Sequence, residues 1–226
     1  MQEYYHVRKV NATKYNSFII SVRHPIDRLI SWFLHEHPLN GLLPRRKDDD
    51  ILNLFECYKE INDLATIGLQ PNLIHDEKKR HCQLLATDYV TGKLNRSQHS
   101  TANYHYYTND LLHKYNSSQK EIFLLRTNYF WKDWESINYI LGGGHNSTIE
   151  INHHTHRQNK EHKVIVSNRT ISLGGLVNFC KFLCAEIQLY KELIYRAANL
   201  NDMDKDTSLN ELKETCPIQA IQPICS

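Results

Sequence analysis

The sequence predicts an α/β domain built on a parallel sheet, on three observations. Two short runs, Ser17 to Val22 (SFIISV) and Glu121 to Thr127 (EIFLLRT), are apolar without polar alternation, as in parallel strands buried on both faces. A segment of helical character follows each run, and strands alternating with helices are the signature of parallel strands joined by crossovers. The 226 residues suit one compact domain with a sizeable core.

The elements follow in order. Pro25, just past the first strand, suits the first turn of a helix, where its missing N–H costs nothing. Ile26, Leu29, Ile30 and Phe33 then recur at i, i+3, i+4 and i+7, and Pro38 with Asn40-Gly41 ends the helix. A charge cluster (PRRKDDD) follows, and Asp48 to Asp50 can cap a helix predicted over 51–67, with Leu54, Tyr58, Ile61 and Ala65 on one stripe and Gly68 as its stop. A further helix is predicted over 81–90, and residues 101–118 are polar and Tyr-rich. After the second strand a helix runs from about 130 to 141, stopped by Gly142-Gly143-Gly144, a left-handed cap signal; Trp131 and Trp134 on it are expected in the core. Residues 145–170 read as a polar, His-rich loop. A last long helix is predicted over 173–198 from a continuous stripe of Leu176, Cys180, Leu183, Ile187, Tyr190, Ile194 and Ala197, with a tail over 199–226 carrying Cys216 and Cys225. Two strands make a thin sheet, so further strands are expected either upstream or within 1–16 and 85–110.

Composition is close to the globular average, with 23% charged and 41% hydrophobic residues. A net charge of +2 gives no bulk electrostatic reason to expect nucleic acid or a membrane surface as partner. No run approaches the ~18 apolar residues of a membrane span, and the first ten residues do not read as a signal peptide. Five N-x-[S/T] sequons, at Asn11, Asn95, Asn116, Asn146 and Asn168, and an even six cysteines agree with a secretory lumen. Six cysteines allow 15 pairings, of which Cys57 with Cys82 and Cys184 with Cys216 are the expected ones. Six reduced thiols in a cytosolic protein are the alternative.

The chemistry sits in residues 21–33 (SVRHPIDRLISWF). They place Arg23 at the carboxyl end of a strand, a Pro-initiated helix next, and Ser31 eight residues after the arginine. Ligands of open α/β sheets bind outside the carboxyl ends of strands, and a helix N-terminus favours phosphate through its free N–H groups and dipole. Arg23 can offer a bidentate fork to such a phosphate, and the Ser31 hydroxyl one hydrogen bond. The plainer alternative pairs Arg23 with Asp27 and leaves Ser31 facing solvent.

The segment resembles the 3′-phosphate-binding motif of the sulfotransferases that use 3′-phosphoadenosine 5′-phosphosulfate (PAPS), R-x-P-x-x-R-x-x-S-x-x, with Arg23, Pro25, Arg28 and Ser31 in register. Residues 124–138 (LLRT, then W-x-x-W and Ile137-Asn138) and 183–217 are similar, more weakly, to divergent glycan-type members. The resemblance implies a P-loop-NTPase-like, three-layer fold with a parallel sheet, helix-rich, over one domain spanning 1–226. It implies PAPS as co-substrate, with Arg23 and Ser31 on its 3′-phosphate and Arg28 structural, and no metal. It further implies transfer of a sulfuryl group to a hydroxyl or amine acceptor on a carbohydrate, a Golgi or secretory-lumen location, and a membrane anchor, if any, outside this chain.

The family also uses a loop of the form T-x-P-K-x-G-[ST] after its first strand, and this sequence has none; Gly142-Gly143-Gly144 lacks the lysine and follows a helix. The expectation is therefore an N-terminally truncated domain without the leaving-group lysine, its catalytic base unassigned. Other candidates are weighed against blander readings. His35 and His37 are expected to be a solvated helix end rather than a metal or base site. His153, His154 and His156 are read as a polar loop. Arg157, Lys160 and Lys163 are either a phosphate cover or a solvated charge run. Tyr104, His105, Tyr106 and Tyr107 line an acceptor site or are ordinary core and surface residues. A catalytically inactive remnant that binds nucleotide or glycan is the main alternative function. A small-molecule kinase of another P-loop fold would need a lysine loop and a magnesium-binding carboxylate, and neither is identifiable.

Overall fold

The structure is a computed structural model that describes residues 15–40, 49–70, 76–94, 103–109, 111–112, 120–143 and 168–216. Both predicted strands form. β1 (Ser17–Val22) and β2 (Glu121–Arg126) pair in parallel, with Ser17 opposite Glu121 and Val22 opposite Arg126. The described residues 85–94 and 103–109 add no strand. One face of the sheet contributes Val22, Ile122 and Leu124 to the main core; on the other, Phe123 and Leu125 meet Ile137 in a small second cluster. The fold is thus of the general α/β class, with a thin two-stranded sheet and helix over most of the described residues.

The outer edge of β2 is closed by the chain at 197–199. Ala197 bridges Ile122, and the Ala198 N–H donates to the Ile122 carbonyl at 2.8 Å. Asn199 then does with its side chain what a third strand would do with its backbone. Its carboxamide accepts from the Leu124 N–H at 2.8 Å and donates to the Leu124 carbonyl at 2.9 Å. Buried backbone polar groups must be paired, and here one asparagine pairs two of them.

α1 (Pro25–Glu36) has Pro25 in its first turn, as the sequence predicts, and α2 (Asp49–Cys57) follows. The predicted 51–67 helix is interrupted at Tyr58 to Glu60 and resumes as α3 (Ile61–Asp63), which widens into a π-turn over Leu64–Gly68. Periodicity misses the break because Leu54, Tyr58, Ile61 and Ala65 all face one core on both sides of it. α4 (Glu77–Val90) starts earlier than predicted because Asp76 caps it, accepting from the N–H groups of Lys78 and Lys79. α5 (Tyr104–Asn109) lies within the Tyr-rich stretch, and α6 (Phe130–Ile140) ends as predicted, with Gly142 at a φ of +86°.

The single helix predicted over 173–198 is two: α7 (Leu173–Phe182) and α8 (Cys184–Arg196), separated at Leu183. Leu183 still bonds to Phe179 and Ile187 to Leu183, so the apolar stripe crosses the break without losing register. The expected tail holds a helix, α9 (Asp202–Thr215), capped by Asn201, which accepts from the Asp204 N–H at 2.9 Å. It shows no continuous apolar stripe in the sequence because its inward line begins with the polar Asp204 and Ser208 before Leu209 and Leu212.

Trp131 and Trp134 are corrected from core to surface, at 46% and 37% exposure. Asp133 must reach Arg126, which turns the Asp133/Ile137 line of α6 onto the sheet and rotates both tryptophans outward. Cys57 and Cys82 form the expected disulfide, tying α2 to α4. The expected Cys184–Cys216 bond is not formed. Cys216 bonds Cys180 instead, with the Cα atoms 5.6 Å apart, and Cys184 is disulfide-bonded elsewhere. Residues 180 and 184 lie one helical turn apart, so sequence spacing does not distinguish them; the end of α9 comes alongside the earlier one.

Candidate functional site

Arg23 follows the last residue of β1, and Pro25 opens α1. The first backbone bond of the helix runs from the Arg28 N–H to the His24 carbonyl at 2.9 Å. Pro25 has no N–H, and His24 supplies no side-chain cap. The N–H groups of Ile26 and Asp27 therefore have no partner among the described residues. The Arg23 guanidinium is half-exposed and has no partner among the described residues either, and it makes no ion pair with Asp27 there. Ser31 is half-buried, its hydroxyl unpaired among the same residues, about 9 Å along the helix from Pro25. Free donors and a helix dipole thus converge at the strand end, while the exposed Asp27 carboxylate in the first turn opposes an anion.

The Arg23 peptide is held from below. The Tyr104 hydroxyl accepts from the Arg23 N–H at 2.8 Å and donates to the Arg23 carbonyl. Burial raises the Tyr104 phenol, keeping it protonated for both bonds. Glu186 of α8 accepts from the N–H groups of Tyr104 and His105, at 2.8 and 3.1 Å, and so caps α5 from a distant element. The same carboxylate pairs with Arg28 at 3.1 Å, and the Arg28 guanidinium stacks over Trp32 and Tyr104. Arg28 is structural, as the resemblance implies. Tyr104 is a buried clamp on Arg23; His105 and Tyr107 are exposed.

Arg126, the last residue of β2 and the register partner of Val22, is consumed by the protein. Its side chain bonds both Asp133 oxygens, Asp204 through side chain and backbone, and Ser208, at 2.6–3.2 Å. That satisfies the donor fork and leaves nothing for a ligand. Thr127 donates to the Val22 carbonyl at 2.9 Å and joins the two strand ends.

His24 stands between Arg23 and Pro25 in the chain. It is buried, edge-on to Tyr190 with ring centroids 6.2 Å apart, and its Nε2 has no partner among the described residues. Burial pushes its imidazole below the ordinary value against the opposing pull of Asp27 and Glu211.

His37 is neither a solvated end nor a metal ligand. It is buried, its Nδ1 accepts from the Leu39 N–H at 3.2 Å, and its Nε2 meets the Lys59 carbonyl at 3.1 Å. That pairing requires the neutral tautomer protonated at Nε2. His35 is half-buried. Among the described residues no group of three or more His, Cys, Asp or Glu side chains is placed to hold a metal ion. His153, His154, His156, Arg157, Lys160 and Lys163 lie outside the described residues.

Sequence reasoning did not single out Glu186. Its signal is a lone carboxylate inside the α8 stripe, three residues after Leu183 and four before Tyr190, where only a buried partner makes it tolerable. No family model, curated protein or solved structure matches this chain.

Proposed function

We propose that the end of β1 binds the 3′-phosphate of PAPS, with Arg23 as the guanidinium fork, the Ile26 and Asp27 N–H groups as backbone donors and Ser31 as a hydroxyl donor. The carrying observation is that these donors have no partner among the described residues, at the carboxyl end of a parallel strand and a helix N-terminus, while Arg126 at the neighbouring strand end is fully paired. The reaction this reading implies is sulfuryl transfer. An acceptor oxygen, on a carbohydrate, forms a bond to sulfur as the sulfur–oxygen bond to the 5′-phosphate breaks. Adenosine 3′,5′-bisphosphate leaves, and the acceptor's proton passes to a general base. Positioning and charge stabilisation carry such a displacement. The two disulfides support an oxidising compartment such as the Golgi or secretory lumen.

A second reading is a catalytically inactive nucleotide or glycan binder. The observation favouring it is that the sequence contains no glycine-rich loop with an adjacent lysine to hold the 5′-phosphosulfate. Isothermal titration with adenosine 3′,5′-bisphosphate tests the shared part. Weak binding is expected, weakened a further tenfold or more by Arg23→Ala, since a charge-assisted hydrogen bond contributes roughly 1.5–3 kcal/mol. Equal affinity in the variant would remove Arg23 from the site. Radiolabelled PAPS with glycan acceptors separates the readings: turnover supports the transferase, and binding without turnover supports the inactive binder.

A further inference from the structure

The sequons are not absorbed by the nucleotide site, and one of them, Asn168-Arg169-Thr170, lies within the described residues. All three residues are exposed, on the extended approach to α7. The Asn168 side-chain oxygen accepts from the Thr170 N–H at 3.0 Å. That bond takes the acceptor end of the carboxamide and leaves Nδ2 on the solvent side, where its contact is a 3.3 Å bond to the exposed Glu60 carboxylate. The Thr170 hydroxyl, which a sequon-reading enzyme must recognise, has no partner among the described residues. Just past the sequon the chain is anchored: the Ser172 N–H donates to Asn62 at 2.9 Å, and Gly175 lies against Ala65. A bulky group at Asn168 would project from a fixed point without displacing core. The disulfides are the independent sign that the chain passes through a compartment where such modification occurs.

We infer that Asn168 carries an N-linked glycan. Its Nδ2 forms a bond to the anomeric carbon of a lipid-diphosphate-linked oligosaccharide, the bond from that carbon to the diphosphate oxygen breaks, the amide proton goes to a base of the transferring enzyme, and the lipid diphosphate leaves. The assignment stands whatever the β1 site binds.

The test is to express the full 226-residue chain behind a cleavable secretory leader in eukaryotic cells. The Cys57–Cys82 bond, read by non-reducing peptide mapping, selects molecules that folded in the lumen. Enzymatic deglycosylation in heavy-oxygen water then converts an occupied asparagine to labelled aspartate, and trypsin releases residues 164–169 as one peptide. Labelled aspartate at 168 is expected. Thr170→Ala should abolish it and Thr170→Ser should retain it, which separates sequon recognition from chance deamidation. Disulfide-bonded chain with unlabelled Asn168 would overturn the inference, as would labelling that survives Thr170→Ala.

Discussion

Arg126 ends β2 opposite Val22 and Arg23 follows the end of β1, one position further on, and their surroundings separate their roles. Arg126 is buried at 3% exposure with two carboxylates, so removing it leaves Asp133 without a cation and Asp204 with Lys132 alone. Breaking such a pair costs about 3–5 kcal/mol, and chemical denaturation of Arg126→Ala should show a loss of that size. Lys132 meets Asp204 from the solvent side, and Lys132→Ala should cost under about 1 kcal/mol. Equal effects would show that the network is not what anchors α9.

His24 and His37 make stability depend on pH with a definite sign. Burial lowers both imidazoles below their ordinary 6.5. Between the folded values and 6.5 the unfolded chain binds more protons, so stability is full above about 6.5 and falls as pH drops through the folded values. Denaturation midpoints at pH 7.5 and 5 should differ in that direction, with a smaller difference in His24→Gln. An unchanged midpoint would mean that neither ring is held neutral. For Asp204, burial alone would raise the carboxyl, but the hydrogen bonds from Lys132 and Arg126 outweigh it and hold it below its ordinary value. Its contribution is present above 3.8 and lost at still lower pH.

Among the elements, the edge of β2 depends on one side chain. Asn199→Ala leaves the buried Leu124 N–H and carbonyl without partners, at roughly 1–3 kcal/mol for a stranded buried group. The same variant should speed hydrogen exchange at the Leu124 amide relative to the Ala198 amide, which keeps its bond to the Ile122 carbonyl. Uniform exchange across β2 would argue that the sheet opens as one unit and that Asn199 closes no edge.

At the scale of the molecule, the two disulfides between described residues join elements that a thin sheet cannot hold together. They span 25 and 36 residues of sequence. Loop-closure entropy gives about 3.5 and about 4 kcal/mol for loops of those lengths. Whole domains are stable by only about 5–15 kcal/mol, so reductant should lower the melting temperature sharply. The Cys57→Ala/Cys82→Ala double variant should reproduce only part of that fall, since reductant also opens Cys180–Cys216 and the Cys184 bond. A melt unaffected by reductant would show that helix packing alone sustains the fold.

The sequence by itself determined the features written in local periodicity and backbone chemistry. These are both strands, the Pro25 start of α1 and the Gly142 stop of α6, because burial on two faces, a fixed φ and a positive φ each select residue types at the position itself. It also placed Arg23 beside a helix N-terminus and Ser31 on that helix, since strand, proline and helix are contiguous. Tertiary structure alone decided the rest. Whether Cys216 meets Cys180 or Cys184 depends on how α9 returns. Whether Trp131 and Trp134 are core depends on Asp133 reaching Arg126. That Arg126 is consumed while the Arg23 guanidinium keeps no partner among the described residues depends on Asp133, Asp204, Tyr104 and Glu186, which come from four separate helices. A buried charge is stabilised by whatever partners the fold brings to it, and those partners lie too far along the chain for any local pattern to name them.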